Sequence, residues 1–248
     1  MRDMKILAII PARGGSKGVP LKNRRKLDGK PLIEYTIKEA KKSKLVNRVV
    51  VSTDSKKIAN IAEKCGAEIP FLRPKYLSDS SAKTIDVVKH TLKTLNQKYD
   101  YKPEIVILLN PTVPFRGVDS IDESIKLLIK SKADIAVEVK KIKTHPYRSY
   151  WLKNGFLKPF KKDFLKFHQR QLFPDCYYPT AGIQTFWNKN IVKFGHMYGP
   201  KIKPVISSDE TNVDIDSIFD FLRWSFNHDS KFYDSRKYSQ PPPPRFDY

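Results

Sequence analysis

The sequence predicts an α/β fold, Rossmann-like, with a mostly parallel sheet flanked by helices on both faces. Three observations carry that prediction. Short β-rich runs alternate with amphipathic segments, the pattern of repeated β-α units. The first apolar run, Lys5–Ile10, opens directly into a Gly-rich basic loop at 11–23, and in such folds ligands sit at the carboxyl ends of the strands. The chain has 248 residues and 40% apolar content, enough for one good core with an elaboration.

Strands are expected at 5–10, 48–53, 67–71, 104–109, 134–139, 181–187 and 202–206, with a short one at 212–215. Helices are expected at 31–43, 55–65, 83–98, 118–131 and 217–227. Pro31 suits a first helical turn. Asp54 or Ser55 caps the second helix and Gly66 closes it. The Asn110-Pro-Thr turn falls at the same sheet edge as the first loop. From about 229 the chain turns polar and reads Gln-Pro-Pro-Pro-Pro-Arg. No helix or sheet survives four prolines. Residues 1–228 are therefore expected to form the folded domain and 229–248 a disordered Pro-rich tail.

The net charge is +21, from 47 basic and 26 acidic residues, a surplus that attracts polyanions. Residues 140–170 hold ten Lys and Arg against one acid, Asp163. They also hold seven aromatics: Tyr147, Tyr150, Trp151, Phe156, Phe160, Phe164 and Phe167. Basic residues interleaved with aromatics can bind nucleic acid by charge and stacking. The favoured alternative is a dimerisation arm at about 140–180, its aromatics packed on a partner subunit while its lysines stay wet. No 18-residue apolar stretch predicts a membrane span. There is no signal-peptide pattern. Cys65 and Cys176 form no disulfide framework or zinc spacing. A cytoplasmic location is the expectation.

The loop at 11–23 has the chemistry of an anion site. Gly14 and Gly15 let backbone amides turn toward a ligand. Arg13, Lys17 and Lys22 bring three positive side chains to the same turn. A nucleoside triphosphate is the simplest ligand that needs all of this. The spacing is neither that of a P-loop nor that of a dinucleotide fold, and a Gly-rich surface loop is the alternative reading. Asp214 and Asp216 stand two apart, so an extended segment presents both carboxylates on one face. Two hard oxygen ligands suit Mg²⁺. The alternative is that Asp216 or Ser217 caps the next helix while Asp214 is solvated; spacing does not choose.

The stretch Ile10-Pro-Ala-Arg-Gly-Gly-Ser-Lys-Gly-Val-Pro-Leu-Lys-Asn23 resembles the signature of CMP-acylneuraminate synthetases, or acylneuraminate cytidylyltransferases. The resemblance continues in order through Val51-Ser-Thr-Asp-Ser55, Leu72-Arg-Pro74 to Asp79-Ser-Ser-Ala82, and Leu108-Leu-Asn-Pro-Thr-Val-Pro-Phe-Arg116. His145-Pro-Tyr-Arg148, Arg170-Gln171 and Val213-Asp-Ile-Asp216 complete it, over residues 5 to about 226. The implied reaction joins CTP to an acidic 2-keto sugar, a sialic-acid-like nonulosonic acid, giving CMP-sugar and pyrophosphate.

The resemblance also implies roles. Ala12, Arg13, Gly14, Gly15, Ser16, Lys17 and Lys22 would hold the phosphates. Asn23, Arg73, Ser81 and Ala82 would lie near the ribose and cytosine. Asp214 and Asp216 would bind Mg²⁺. Arg13, Lys22 and Asp216 would carry the catalytic burden. No histidine stands where a base is needed, so a metal-activated hydroxyl, or a water held by Asp216, is expected instead. Arg148 and Arg170 match positions near the sugar carboxylate, which a guanidinium pairs bidentately. The arm would reach over the partner's site in a homodimer.

Two departures fall on the sugar side. Asn110 replaces the family's usual Gln. Thr180-Ala-Gly-Ile-Gln184 replaces Asn-Gly-Ala-Ile-Tyr, so Gln184 stands for Tyr. The acceptor sugar is thereby left open. Two other readings remain: a CMP-ketodeoxyoctonate-type synthetase, against which Gly15-Ser-Lys17 stands where that family usually has Ser-Thr-Arg, and a basic nucleic-acid-binding protein on a dead nucleotide fold.

Overall fold

The computed structural model describes residues 4–16, 18–116, 118–207 and 214–227. In chain order the elements are β1 (Ile6–Pro11), β2 (Lys26–Leu27), β3 (Lys30–Pro31), α1 (Leu32–Lys42), β4 (Arg48–Ser52), α2 (Lys56–Lys64), α3 (Thr84–Tyr99) and β5 (Ile105–Leu109). Then follow α4 (Val118–Ser131), β6 (Ile135–Lys141), β7 (Tyr150–Lys153), β8 (Phe156–Pro159), β9 (Tyr177–Trp187), α5 (Lys189–Phe194), β10 (Ile202–Ile206) and α6 (Ile218–Asn227).

Six strands form one sheet in the order β10-β6-β9-β5-β1-β4. Every neighbouring pair is parallel except the two made by β9. Strand alternation builds two cores, one on each face. Ile6, Ala8 and Ile10 of β1 pack with Ile33 and Ile37 of α1, Ile58 of α2 and Ile125 of α4. Leu7 and Ile9, pointing the other way, pack with Val88 and Leu95 of α3. β5 divides in the same manner, with Ile105, Ile107 and Leu109 on the first face and Val106 and Leu108 on the second. With both faces covered, the carboxyl edge of the sheet is left as the place for a ligand.

The caps follow local chemistry. Ser55 Oγ accepts from Ile58 N at 3.4 Å and starts α2, and Gly66 takes φ +84° after its end, so Ser55 rather than Asp54 is the cap. Residues 67–71 are not a strand: only the isolated bridges Val50–Glu68 and Thr53–Leu72 form, because Pro70 has no N–H to extend a ladder. β9 starts at Tyr177, four residues before the expected 181. The hairpins β2–β3 and β7–β8 turn at Asp28-Gly29 and Asn154-Gly155, all four residues at positive φ. Of the expected strand at 212–215, residues 212 and 213 and the tail at 229–248 lie outside the described residues, and Asp214 and Ile215 belong to no strand.

Between β6 and β9 the chain leaves the sheet. Ile142 N donates to Cys176 O at 3.0 Å at the root of this arm. Its base is an aromatic cluster in which His145 stacks on Tyr147 at 5.1 Å and on Phe173 at 4.7 Å. The β7–β8 hairpin beyond it is exposed except for half-buried Pro159, and shows Trp151, Leu152, Phe156 and Leu157 to solvent.

Candidate active site

The first loop is tied down by its own polar groups. Ala12 N donates to Ser52 O at 2.9 Å, which extends the β1–β4 pairing one residue. Gly14 N donates to Asp54 Oδ1 at 2.8 Å. The side chain of buried Asn23 donates to Arg13 O at 2.9 Å and closes the loop on itself. Leu21 takes φ 58° to turn the chain into the short helix that carries Lys22. Gly15 faces open space: a Cβ there would meet nothing within 4 Å.

Lys22 joins this loop to the far end of the chain. Its Nζ donates to Ile215 O at 2.8 Å and to Asp216 Oδ1 at 2.9 Å. The approach is close on the other side as well: a Cβ on Gly18 would stand 2.2 Å from Asp216 O, so only glycine fits. The helix-cap alternative for Asp216 is removed. Ser217 Oγ accepts from Asp220 N at 3.1 Å, and Asp220 Oδ2 accepts from Ser217 N at 2.8 Å, a capping box that starts α6 without Asp216.

Asp214 turns inward where Asp216 stays exposed. Ile215 N donates to Thr112 O at 2.8 Å, which holds the segment before α6 against the turn after β5. Asp214 Oδ1 is buried with no hydrogen-bond partner. Burial pushes the Asp214 carboxyl above the usual range, with the Thr112 hydroxyl working against that and the Asp216 charge adding to it. An unpartnered carboxylate oxygen beside a second carboxylate fits a hard cation. Among the described residues no group of three or more His, Cys, Asp or Glu gathers, so these two would share the ion with ligand and water oxygens, which suits Mg²⁺.

The turn after β5 lies on the same side as this segment, Thr112 O being held by Ile215 N. Asn110 Nδ2 donates to Ala181 O at 2.9 Å, which commits one of its two N–H donors to the protein. Gln184 lies on β9, and its Oε1 is buried without a partner. Behind them Thr180 Oγ1 donates to Glu138 Oε2 at 2.6 Å. Arg116 is buried and donates to Thr36 Oγ1 at 3.0 Å and to the Asn110 carbonyl. Burial lowers its guanidinium to about 10, opposed by the charges of Glu138, Asp214 and Glu39. Asp54, Thr112 and Glu138 join the site without any sequence motif to mark them in that role, and Arg116 is marked only as the end of the Leu108–Arg116 motif.

Other expected residues are spread around this centre. Arg73 is buried, and its Nε donates to Ser52 Oγ at 3.1 Å while Nη2 donates to Ser52 O and Nη1 to Leu77 O at 3.4 Å. Burial lowers it to about 10, with Asp54 opposing and Arg13 reinforcing the shift. Its guanidinium thus braces β4 beneath the loop. Ser81 and Ala82 line an open groove of about 710 Å³ with Tyr76, His90 and Lys93. Arg148 sits on the arm, with Cζ 5.4 Å from the centre of the Phe173 ring. Lys17 and the Arg170 side chain lie outside the described residues.

A mostly parallel sheet with a Gly-rich basic loop after β1, joined through Lys22 to a carboxylate pair, is an arrangement that suits a nucleotidyltransferase. The chain belongs to the cytidylyltransferase family, whose model spans residues 7–197, and within it to the CMP-acylneuraminate synthetase-like group. It is 34% identical over 220 residues to the CMP-N,N'-diacetyllegionaminic acid synthase of Legionella pneumophila, covering 88% of this chain and 94% of that one. It is 30% identical over 237 residues to the pseudaminic acid cytidylyltransferase of Campylobacter jejuni, covering 92% and 100%. The solved structure of a CMP:2-keto-3-deoxy-manno-octonic acid synthetase complexed with CTP superposes with a TM-score of 0.66 at 14% identity, over 90% of this chain and 97% of that one. The last likeness concerns the fold alone.

Proposed function

We propose that this protein transfers the cytidylyl group of CTP to a nonulosonic acid, a sialic-acid-like 2-keto sugar, releasing pyrophosphate. The observation that carries the reading is the grip of Lys22 on Ile215 O and Asp216, which brings phosphate loop and carboxylate pair into one site. The relatives named above act on sugars of this class and support the choice of acceptor.

The sugar hydroxyl oxygen forms a bond to the α-phosphorus as the bond to the pyrophosphate oxygen breaks, and the hydroxyl proton leaves to water beside Asp216. Arg13, Lys17 and Lys22 balance the charge that develops on the phosphates, while the Gly15 amide holds their orientation and Asp54 fixes the Gly14 amide behind it. Positioning and electrostatics supply most of such a rate. A Mg²⁺ ion held by Asp214 and Asp216 would lower the pKa of the hydroxyl and neutralise charge on the α-phosphate. Asn23, Ser81 and Ala82 serve the nucleoside, with Arg73 holding the strand beneath them. Asn110 and Gln184 face the sugar.

The exposed hairpin and the arm beneath it support a homodimer, in which Arg148 and Arg170 of each arm serve the sugar carboxylate in the other protomer's site. Large exposed apolar surface usually marks such a contact. The test is pyrophosphate release from CTP, ATP, GTP and UTP across a panel of eight- and nine-carbon acidic sugars, with and without Mg²⁺. CTP with a nonulosonic acid should give the fastest turnover. Faster turnover with another triphosphate, or with no acidic sugar present, overturns the assignment.

A further inference from the structure

Arg116 is among the largest fully buried side chains of the described residues. A guanidinium in that position needs compensation for its lost water, and here the compensation is directional. Nη1 donates to Thr36 Oγ1 on α1 at 3.0 Å, and Nη2 donates to the carbonyl of Asn110. Val113 N donates to the same carbonyl at 3.3 Å and closes the turn. The next residue back, Thr112, accepts from Ile215 N at 2.8 Å through its carbonyl. A continuous run of hydrogen bonds therefore leads from the buried face of α1, through Arg116, to the segment that carries Asp214 and Asp216. Lys22 holds that segment from the opposite side. The charges of Glu138 and, at longer range, Asp214 favour the guanidinium in place.

We propose that Arg116 is a positioning residue: its fork fixes the Asn110–Val113 turn against Thr36 and so sets where Asp214 and Asp216 stand relative to Lys22. The inference rests on the nucleotidyl-transfer reading. It explains why arginine is needed. A lysine at this place keeps the buried charge but offers no planar fork to hold Thr36 Oγ1 and the Asn110 carbonyl together.

Two variants test it. Arg116→Lys keeps the charge; Thr36→Val removes the anchor of Nη1 on a helix that touches neither substrate. Both are checked for folding by thermal melting, then measured by amide hydrogen exchange and steady-state kinetics. The expected result is faster exchange at Val113 and Ile215 with β1 and β5 still protected. With it, kcat should fall about tenfold or more for Arg116→Lys and about threefold for Thr36→Val, while KM for CTP stays within about twofold. Unchanged exchange at Val113 and Ile215 in a folded variant overturns the proposal. So does exchange that rises equally in β1 and β5, or a kcat unchanged in Thr36→Val as well as Arg116→Lys. If Arg116→Lys does not fold, Thr36→Val decides. Should wild type show no turnover with CTP and any acidic sugar, the reaction assignment fails on that ground, and the exchange pattern still judges Arg116.

Discussion

The two walls of the cleft are built in opposite ways. On the wall built by the first loop, Gly14 N has Asp54, Asn23 has Arg13 O, and Arg73 has Ser52 and Leu77. On the wall built by the turn after β5, β9 and the Asp214 segment, Gln184 Oε1, Asp214 Oδ1 and Arg116 Nε are buried without hydrogen-bond partners. A buried polar atom left unpaired carries a penalty of about 1–3 kcal/mol. The first loop is therefore held by its own partners, and the second wall keeps buried unpaired atoms, of which Gln184 Oε1 and Asp214 Oδ1 are the ones the proposed sugar and cation would meet. The contrast locates specificity: changes on the second wall should alter which sugar is accepted, and changes on the first should impair every sugar alike.

The largest expected effect bridges the walls. Asp214→Asn and Asp216→Asn should each lower Mg²⁺-dependent kcat about a hundredfold, roughly 3 kcal/mol of transition-state stabilisation, in a protein that melts normally. Near-wild-type turnover in a folded double variant would remove the carboxylates from the chemistry. Next comes the sugar wall by itself. Asn110→Gln with Gln184→Tyr should reorder acidic sugars by about ten- to a hundredfold in kcat/KM and leave KM for CTP nearly unchanged. An unchanged ranking would make the two departures neutral and erase the contrast.

Gly18→Ala probes the first wall. A Cβ 2.2 Å from Asp216 O forces the loop and the carboxylate segment apart, so kcat should fall about tenfold with every acidic sugar in proportion. A loss confined to some sugars would blur the distinction between the walls. The arm offers a separate check. Trp151→Asp with Phe156→Asp should turn a dimer seen by light scattering into monomer, and a wild-type monomer that is active at micromolar concentration would end the proposal that the arm pairs protomers.

The smallest effect is on pH. Burial, then the charges of Arg73 and Lys93, hold the His90 pKa below its ordinary 6.5. The unfolded chain therefore takes up this proton at a higher pH than the folded chain. Stability is full above about pH 6.5 and declines as pH falls below it. His90→Phe should flatten that part of the melting profile, the ring contact with Phe71 being kept. A decline of equal depth in the variant would assign it elsewhere.

Much of the first wall could be read from sequence because it is local. Glycines and basic residues within one loop announce an anion site, and apolar runs on either side announce the strands that hold it. The second wall is made by distant residues. Glu138 sits in an apolar strand where its partner Thr180 lies 42 positions away, and nothing near Arg116 in sequence shows that Thr36 will receive it. The direction of β9 is likewise set by pairing with β5 and β6 and not by its own residues. Two signals were present and unread: Asp28-Gly29 and Asn154-Gly155 are hairpin turns by composition alone. The β7–β8 strands escaped because both their faces are exposed, which leaves no inside–outside alternation. Helix α5, only six residues long, is too short for a helical period to register.

The pairing of Lys141 with Tyr177 across the β6–β9 ladder has a consequence for how this protein could be remodelled. The arm departs from one strand and re-enters the adjacent one at facing rungs, so its two ends stand a strand's spacing apart, roughly 5 Å. A two-residue Asn-Gly turn spans that gap. The arm is thus a detachable cassette: it can be excised, lengthened or exchanged for another at this one seam, and the sheet beneath keeps its register.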